Sequence, residues 1–161
     1  GSASEVLGNL TPAFMTVAMG KTAKSAHEAM AMGFADARDT VRFHPRELLH
    51  VAIKEARLLA DAGYVPPVPA RGIAVAGRTG VASMEMTLIN MREGGMISDH
   101  DYRVSRAVAV ALCGGEVDYG SLVDEHWLLA VEREQFLELL KTPETQARIK
   151  HMLDTSKPLR N

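Results

Sequence analysis

Three prolines within four residues, Pro66, Pro67 and Pro69, constrain this 161-residue chain more than any other feature. Each ring fixes φ, removes an amide donor and biases the preceding residue away from helix. Pro66-Pro67-Val68-Pro69 therefore cannot continue a helix, and an extended, polyproline-like connection between two halves is expected there. On both sides the punctuation is that of helices. Thr11-Pro12 reads as an N-cap followed by proline in the first helical position, opening a segment to about Ala23. Ser25-Ala26-His27-Glu28 has the spacing of a capping box, and Gly33 is placed to end that short helix in a left-handed turn. Residues 34–43 break helical periodicity and read as an irregular or weakly extended connection.

The clearest helix opens at Pro45 and runs to about Ala62. Leu48, Leu49, Ala52, Ile53, Ala56, Leu59 and Ala60 recur at helical spacing, while Arg46, Lys54, Glu55 and Arg57 are mostly solvated. Gly63 stops it. Beyond the prolines, Gly80 to about Glu93 aligns Val81, Met84, Leu88 and Met91. Ser98 with Asp101 caps a helix that buries Val104, Ala107, Val108, Ala111 and Leu112 before Gly114-Gly115. A long helix from about Val123 to Lys141 presents Leu128, Val131, Phe136, Leu139 and Leu140. Thr142-Pro143-Glu144 caps the last helix, built on Ala147, Ile149, Met152 and Leu153, and residues 156–161 form a polar, basic tail. Gly72-Ile73-Ala74-Val75-Ala76-Gly77 is the one strand candidate, and a lone short strand cannot make a sheet. The expected fold class is mainly α, with one short strand at most.

Composition bounds the function. Hydrophobic residues make up 47% and charged residues 24%, an ordinary globular balance that argues against disorder. A formal charge of −2 gives no electrostatic reason to expect nucleic acid. The single cysteine, Cys113, allows no internal disulfide and fits a reducing, cytoplasmic setting; in Ala-Val-Ala-Leu-Cys it reads as a buried, inert thiol. No apolar run approaches a membrane span. Gly1-Ser2-Ala3-Ser4 has neither the basic nor the apolar region of a signal peptide and reads as a cloning remnant before a truncation point.

The residues offer little chemistry. Ala76-Gly77-Arg78-Thr79-Gly80 resembles part of a phosphate loop but lacks the Gly-Lys-Ser/Thr ending and the G-x-G-x-x-G spacing, so a helix-entry loop is the favoured reading. His27, His44, His50, His100, His126 and His151 form no H-E-x-x-H or other close ligand pair, and no metal site is expected. Ser98-Asp99-His100-Asp101 places three triad residue types side by side, yet triad members normally converge from separate elements, and a capped helix start accounts for them. Asp124-Glu125-His126 reads as a charged first turn suited to a helix dipole. Glu132, Glu134 and Glu138 alternate with Arg133 and Lys141 as a solvated helix face. No catalytic residue is assigned.

Three words of the sequence carry a family resemblance. The segment from Leu129 through Phe136 and Lys141-Thr142-Pro143-Glu144 to Lys157-Pro158-Leu159-Arg160-Asn161 resembles the C-terminal end of the crotonase (enoyl-CoA hydratase/isomerase) fold. Ala23-Lys24-Ser25-Ala26-His27-Glu28-Ala29-Met30-Ala31-Met32-Gly33-Phe34 resembles the segment that follows the catalytic core in that family. Met91-Arg92-Glu93-Gly94-Gly95-Met96-Ile97-Ser98-Asp99-His100-Asp101-Tyr102, with the closing Lys-Pro-Leu-Arg-Asn, resembles bacterial multifunctional 3-hydroxyacyl-CoA dehydrogenases that carry a hydratase-like region.

The resemblance implies a place in fatty-acid β-oxidation, with NAD and a CoA thioester bound in the parent enzyme and no cofactor in this chain. It divides the chain into residues 1–9, a remnant and frayed start; 10–65, helices that follow a crotonase core; and 66–161, a C-terminal helical region. The implied partners are a dehydrogenase domain and a crotonase core of the same polypeptide, acyl-CoA, and further copies in a homo-oligomer. Assembly and completion of the CoA site would be the chain's contribution, without activity of its own. By position Phe136 matches an aromatic near the CoA adenine, and Lys157 lies in the basic tail, suited to phosphate. Core packing for Phe136 and a solvated tail for Lys157 are the plainer, favoured readings. An autonomous helical interaction or acyl-carrier-binding module is the alternative for the whole chain.

Overall fold

The structure, a computed structural model, describes residues 3–161. Its elements run α1 (Ala3–Ala18), α2 (Ala26–Ala31), a 3-10 turn (Pro45–Glu47), α3 (Leu48–Asp61), β1 (Ile73–Ala74), α4 (Gly77–Glu93), α5 (Asp99–Leu112), β2 (Leu122–Val123), α6 (Glu125–Leu140) and α7 (Pro143–Thr155). The expected mainly α class holds. Packing divides the chain into two compact units: the chain up to Lys21 together with Pro69–Asn161, and Thr22–Val68. The return from the smaller unit to the larger falls within the expected proline connection, and residues 64–72 carry neither helix nor strand.

The larger unit is organised on α4 and α5. Phe14, Ala76, Val81, Met84, Leu88, Ile97, Ala109, Val110 and Cys113 form its buried cluster. Leu88 and Cys113 are fully buried and Phe14 is 1% exposed. Each large side chain there contributes about 1.5–3 kcal/mol. Ser98 closes a full capping box on α5, its Oγ accepting from Asp101 N–H while the Asp101 carboxylate accepts from Ser98 N–H. Thr142 caps α7 by accepting from Thr145 N–H, with Pro143 at the first position.

Two expectations fail here. Thr11-Pro12 does not open a helix: α1 begins earlier and runs through Pro12. Ala3 and Ser4, read from sequence as part of a cloning remnant, lie in that helix, while Gly1 and Ser2 fall outside the described residues. An interior proline costs about 3 kcal/mol in an isolated helix. Burial of Phe14, with Leu7, Leu10 and Met15 packed against the same cluster, offsets that cost. Thr11 Oγ1 also donates to Leu7 O at 2.9 Å, spanning the turn that the proline weakens. Second, the strand candidate has a partner. β1 and β2 pair antiparallel, Ile73 opposite Val123 and Ala74 opposite Leu122. Two residues per strand are too few to show a period-2 pattern.

In the smaller unit the expected helices form with their expected stops. Ser25 Oγ accepts from Glu28 N–H at 3.1 Å and the Glu28 carboxylate accepts from Lys24 N–H at 2.6 Å. Glu55 on α3 holds the irregular stretch through Thr40 Oγ1 at 3.0 Å and Arg42 at 3.4 Å. Burial does not follow. Among residues 22–68 none is buried. Along α3, His50, Lys54, Arg57 and Asp61 mark one polar stripe, and the rest of the helix leaves Leu49 71% and Leu58 69% exposed. The apolar side chains of α3 are thus exposed despite their helical spacing.

Candidate functional site

The phosphate-loop-like glycines resolve into packing. Gly77 opens α4 with φ +50°, and its N–H donates to Cys113 O at 2.8 Å while Arg78 N–H donates to Val117 O at 2.9 Å. Those amides, which would have to face a phosphate, are spent on carbonyls. A Cβ at Gly77 would lie 2.0 Å from Val117 O, and one at Gly80 would lie 2.8 Å from Cys113 Sγ. The segment therefore does not fit a dinucleotide. Cys113 is fully buried, and burial pushes its thiol up to about 11, the opposite of what a nucleophile requires.

Polar side chains gather at the junction of α5 and α7. His100, 6% exposed, places Nε2 3.0 Å from Thr145 Oγ1. Asp101 meets Arg148 at 2.9 Å and Arg160 at 3.5 Å. Burial opposes ionisation of Asp101, but the Ser98 N–H and the Arg148 guanidinium outweigh it and hold the carboxyl below its ordinary value. Arg148 also reaches Asn161, donating to its Oδ1 at 2.7 Å and its backbone oxygen at 3.1 Å. Ser98 Oγ donates to the same backbone oxygen at 2.6 Å. In the sequence His100 and Asp101 read only as a helix start. Their partners do not show there because these lie 45 and 47 residues away.

A second cluster joins α4 to α5. Tyr102 Oη donates to Glu85 Oε1 at 2.5 Å and Arg106 pairs with the same oxygen at 2.9 Å. Tyr102 is the larger reason that Glu85 stays below its ordinary carboxylate range. Arg92 stacks over the Tyr102 ring at 4.6 Å. These groups tie two helices, and a carboxylate held ionised between two donors cannot serve as an acid. Among the described residues no group of three or more His, Cys, Asp or Glu is placed to hold a metal ion.

Phe136 and Lys157 are both exposed. Phe136, 54% exposed on α6, is not the core residue that the plainer reading made it. The α6 face that packs is the row Leu128, Val131, Gln135 and Leu139, one step around the helix. Lys157 follows α7, its N–H donating to Thr155 Oγ1 at 3.2 Å. Neither residue lines either of two open cavities. One of about 490 Å³ lies beside β2 against Trp127, Arg71 and Asp124. The other, of about 620 Å³, lies at the α6–α7 elbow over Ala130, Leu137 and Leu140, with charges of both signs around it.

Comparison with known proteins adds one anchor. Over 148 residues, 92% of its length, the chain is 40% identical to a protein of Bacillus subtilis (strain 168) named probable 3-hydroxyacyl-CoA dehydrogenase. The chain spans only 19% of that relative. No protein-family model matches the chain, and no solved structure does either.

Proposed function

We propose that this chain is a helical, non-catalytic module of a 3-hydroxyacyl-CoA dehydrogenase that also carries a crotonase-like region, serving assembly and the CoA end of that enzyme's site. The observation that carries this reading is the 40% identity over 92% of the chain. It is supported by the absence of any buried residue from 22 to 68, because amphipathic helices with no core of their own need a surface to cover. NAD would be held elsewhere in such an enzyme. CoA would meet this chain at Phe136, whose exposed ring can stack on a base, and at Lys157, whose ammonium suits a phosphate. Both side chains are exposed and free to do so.

A chimera tests this: the Bacillus subtilis relative with its matching segment either deleted or replaced by this chain. The deleted form should lose NAD-dependent oxidation of 3-hydroxybutyryl-CoA, and the chimera should regain it. Full activity in the deleted form would refute the reading. One observation favours the alternative of an autonomous interaction module: the larger unit has its own buried cluster. That alternative predicts that the isolated chain binds an acyl-carrier protein and that the deletion leaves turnover unchanged.

A further inference from the structure

We propose that the junction of α5 with α7 is a proton-operated latch, in which a proton taken up by the buried His100 imidazole releases α7 and residues 156–161 from the first turn of α5. His100 is the second residue of α5, and Thr145 stands in the first turn of α7. Their 3.0 Å contact therefore places the imidazole at the positive end of two helix dipoles at once. A neutral ring is at ease there, since Thr145 Oγ1 can donate to it or accept from it. An imidazolium is not.

The surrounding charges do not compensate. Asp101 and Arg103 face the ring from its own helix, and Glu144 and Arg148 face it from α7. Asp101 is already matched by Arg148, by Arg160 and by the Ser98 N–H. Glu144 is solvent-exposed and counts for less. Burial first, and then Arg148, hold His100 below its ordinary value of 6.5. Protonation thus favours any state in which the ring reaches water.

The two sides of the junction are anchored unequally. α5 buries Ser105, Ala107, Ala109 and Val110 besides His100, whereas α7 buries nothing. Beyond its packing on α6, α7 is tied to α5 by His100–Thr145 and Asp101–Arg148. Asn161 adds its bonds to Ser98 and Arg148, and donates through Nδ2 to Glu144 O at 3.2 Å. Opening gives up few contacts and leaves the α4–α5 cluster intact.

Hydrogen exchange on the 161-residue chain between pH 7.5 and 5, corrected for intrinsic rates, reads the latch. Protection of residues 143–155 should fall, by up to about tenfold per pH unit, as pH drops from the ordinary histidine value of 6.5 toward the lower midpoint of the closed state, and should level off below it. Protection of residues 77–93 should hold. In H100Q, whose amide can still bond Thr145 but takes no proton, the pH response of α7 should vanish; in H151Q it should remain. The proposal is overturned if α7 protection in the unaltered chain is flat over this range, if H100Q keeps the response, or if residues 77–93 loosen in parallel. Should H100Q fail to fold, histidine-selective NMR on the unaltered chain decides. The α7 amide shifts must follow the His100 midpoint, below 6.5, and a different midpoint rejects the latch.

Discussion

Gly80→Ala puts the helix packing to a quantitative test, because the segment that resembles a phosphate loop is here a close approach of α4 to the end of α5. A Cβ at Gly80 would stand 2.5 Å from Ala76 Cβ and 2.8 Å from Cys113 Sγ, both inside van der Waals contact and both in a buried cluster. Overpacking of this kind costs about 1–3 kcal/mol. The better helix propensity of alanine returns up to about 1 kcal/mol. The net expectation is a loss of about 1–2 kcal/mol. Cys113→Ala removes the sulfur and leaves Cβ at 3.6 Å, an ordinary contact. In the double variant, part of the Gly80→Ala penalty should disappear, a coupling of about 1 kcal/mol. Trp127 is the sole tryptophan, and its Nε1 donates to Gly114 O at 2.9 Å, beside Cys113, so its fluorescence reports the larger unit in urea unfolding. A Gly80→Ala chain as stable as the parent, or additive losses in the double variant, would refute the packing argument.

Asp101→Asn should destabilise the larger unit by about 2 kcal/mol, since Asp101 and Arg148 are only 13% and 21% exposed and the guanidinium would keep Asn161 but lose its carboxylate, as read by urea midpoints. With the Asp101 carboxyl held below its ordinary 3.8, its contribution is complete above that pH and is lost as pH falls through the lower folded value, which acid titration of the parent against Asp101→Asn checks. With the Cys113 thiol raised to about 11, roughly one molecule in a thousand carries a thiolate at pH 8, so an aromatic disulfide reagent should react only as fast as the chain opens; reaction at the rate of a free thiol contradicts this. The isolated chain should neither hydrate crotonyl-CoA nor oxidise 3-hydroxybutyryl-CoA with NAD, and turnover above blank preparations would sink the non-catalytic reading. Exposed Leu49, Leu58 and their neighbours should draw isolated chains into dimers or larger species, and sedimentation showing only monomer over a wide concentration range would count against this.

What could be read from the sequence is what depends on near neighbours. The caps at Ser25, Ser98 and Thr142 each need only a residue three positions on, and all three form. The stops at Gly33 and Gly63 are single-residue signals, and both adopt positive φ. Interactions across the chain were not legible. Pro12 sits inside a helix because tertiary burial of Phe14 overrides a local rule. β2 was invisible because two residues carry no pattern. The α5–α7 cluster joins residues 45 or more positions apart, and nothing local at Thr145 or Arg148 marks them as partners of His100 and Asp101. For Phe136 the helix was recognised and the packed face misjudged, since α6 is apolar on more than one side.

The central claim is that residues 22–68 are a covering layer awaiting the rest of a larger enzyme, and hydrogen exchange along α3 tests it most directly. In the isolated chain, diluted until sedimentation shows it monomeric, amides of residues 48–61 should exchange near the rate of an unprotected helix, far faster than those of α5. In the chimera that carries this chain on the Bacillus subtilis relative, the same amides should slow by tenfold or more. Equal exchange of α3 in both settings, or protection in the isolated chain matching that of α5, would contradict the account.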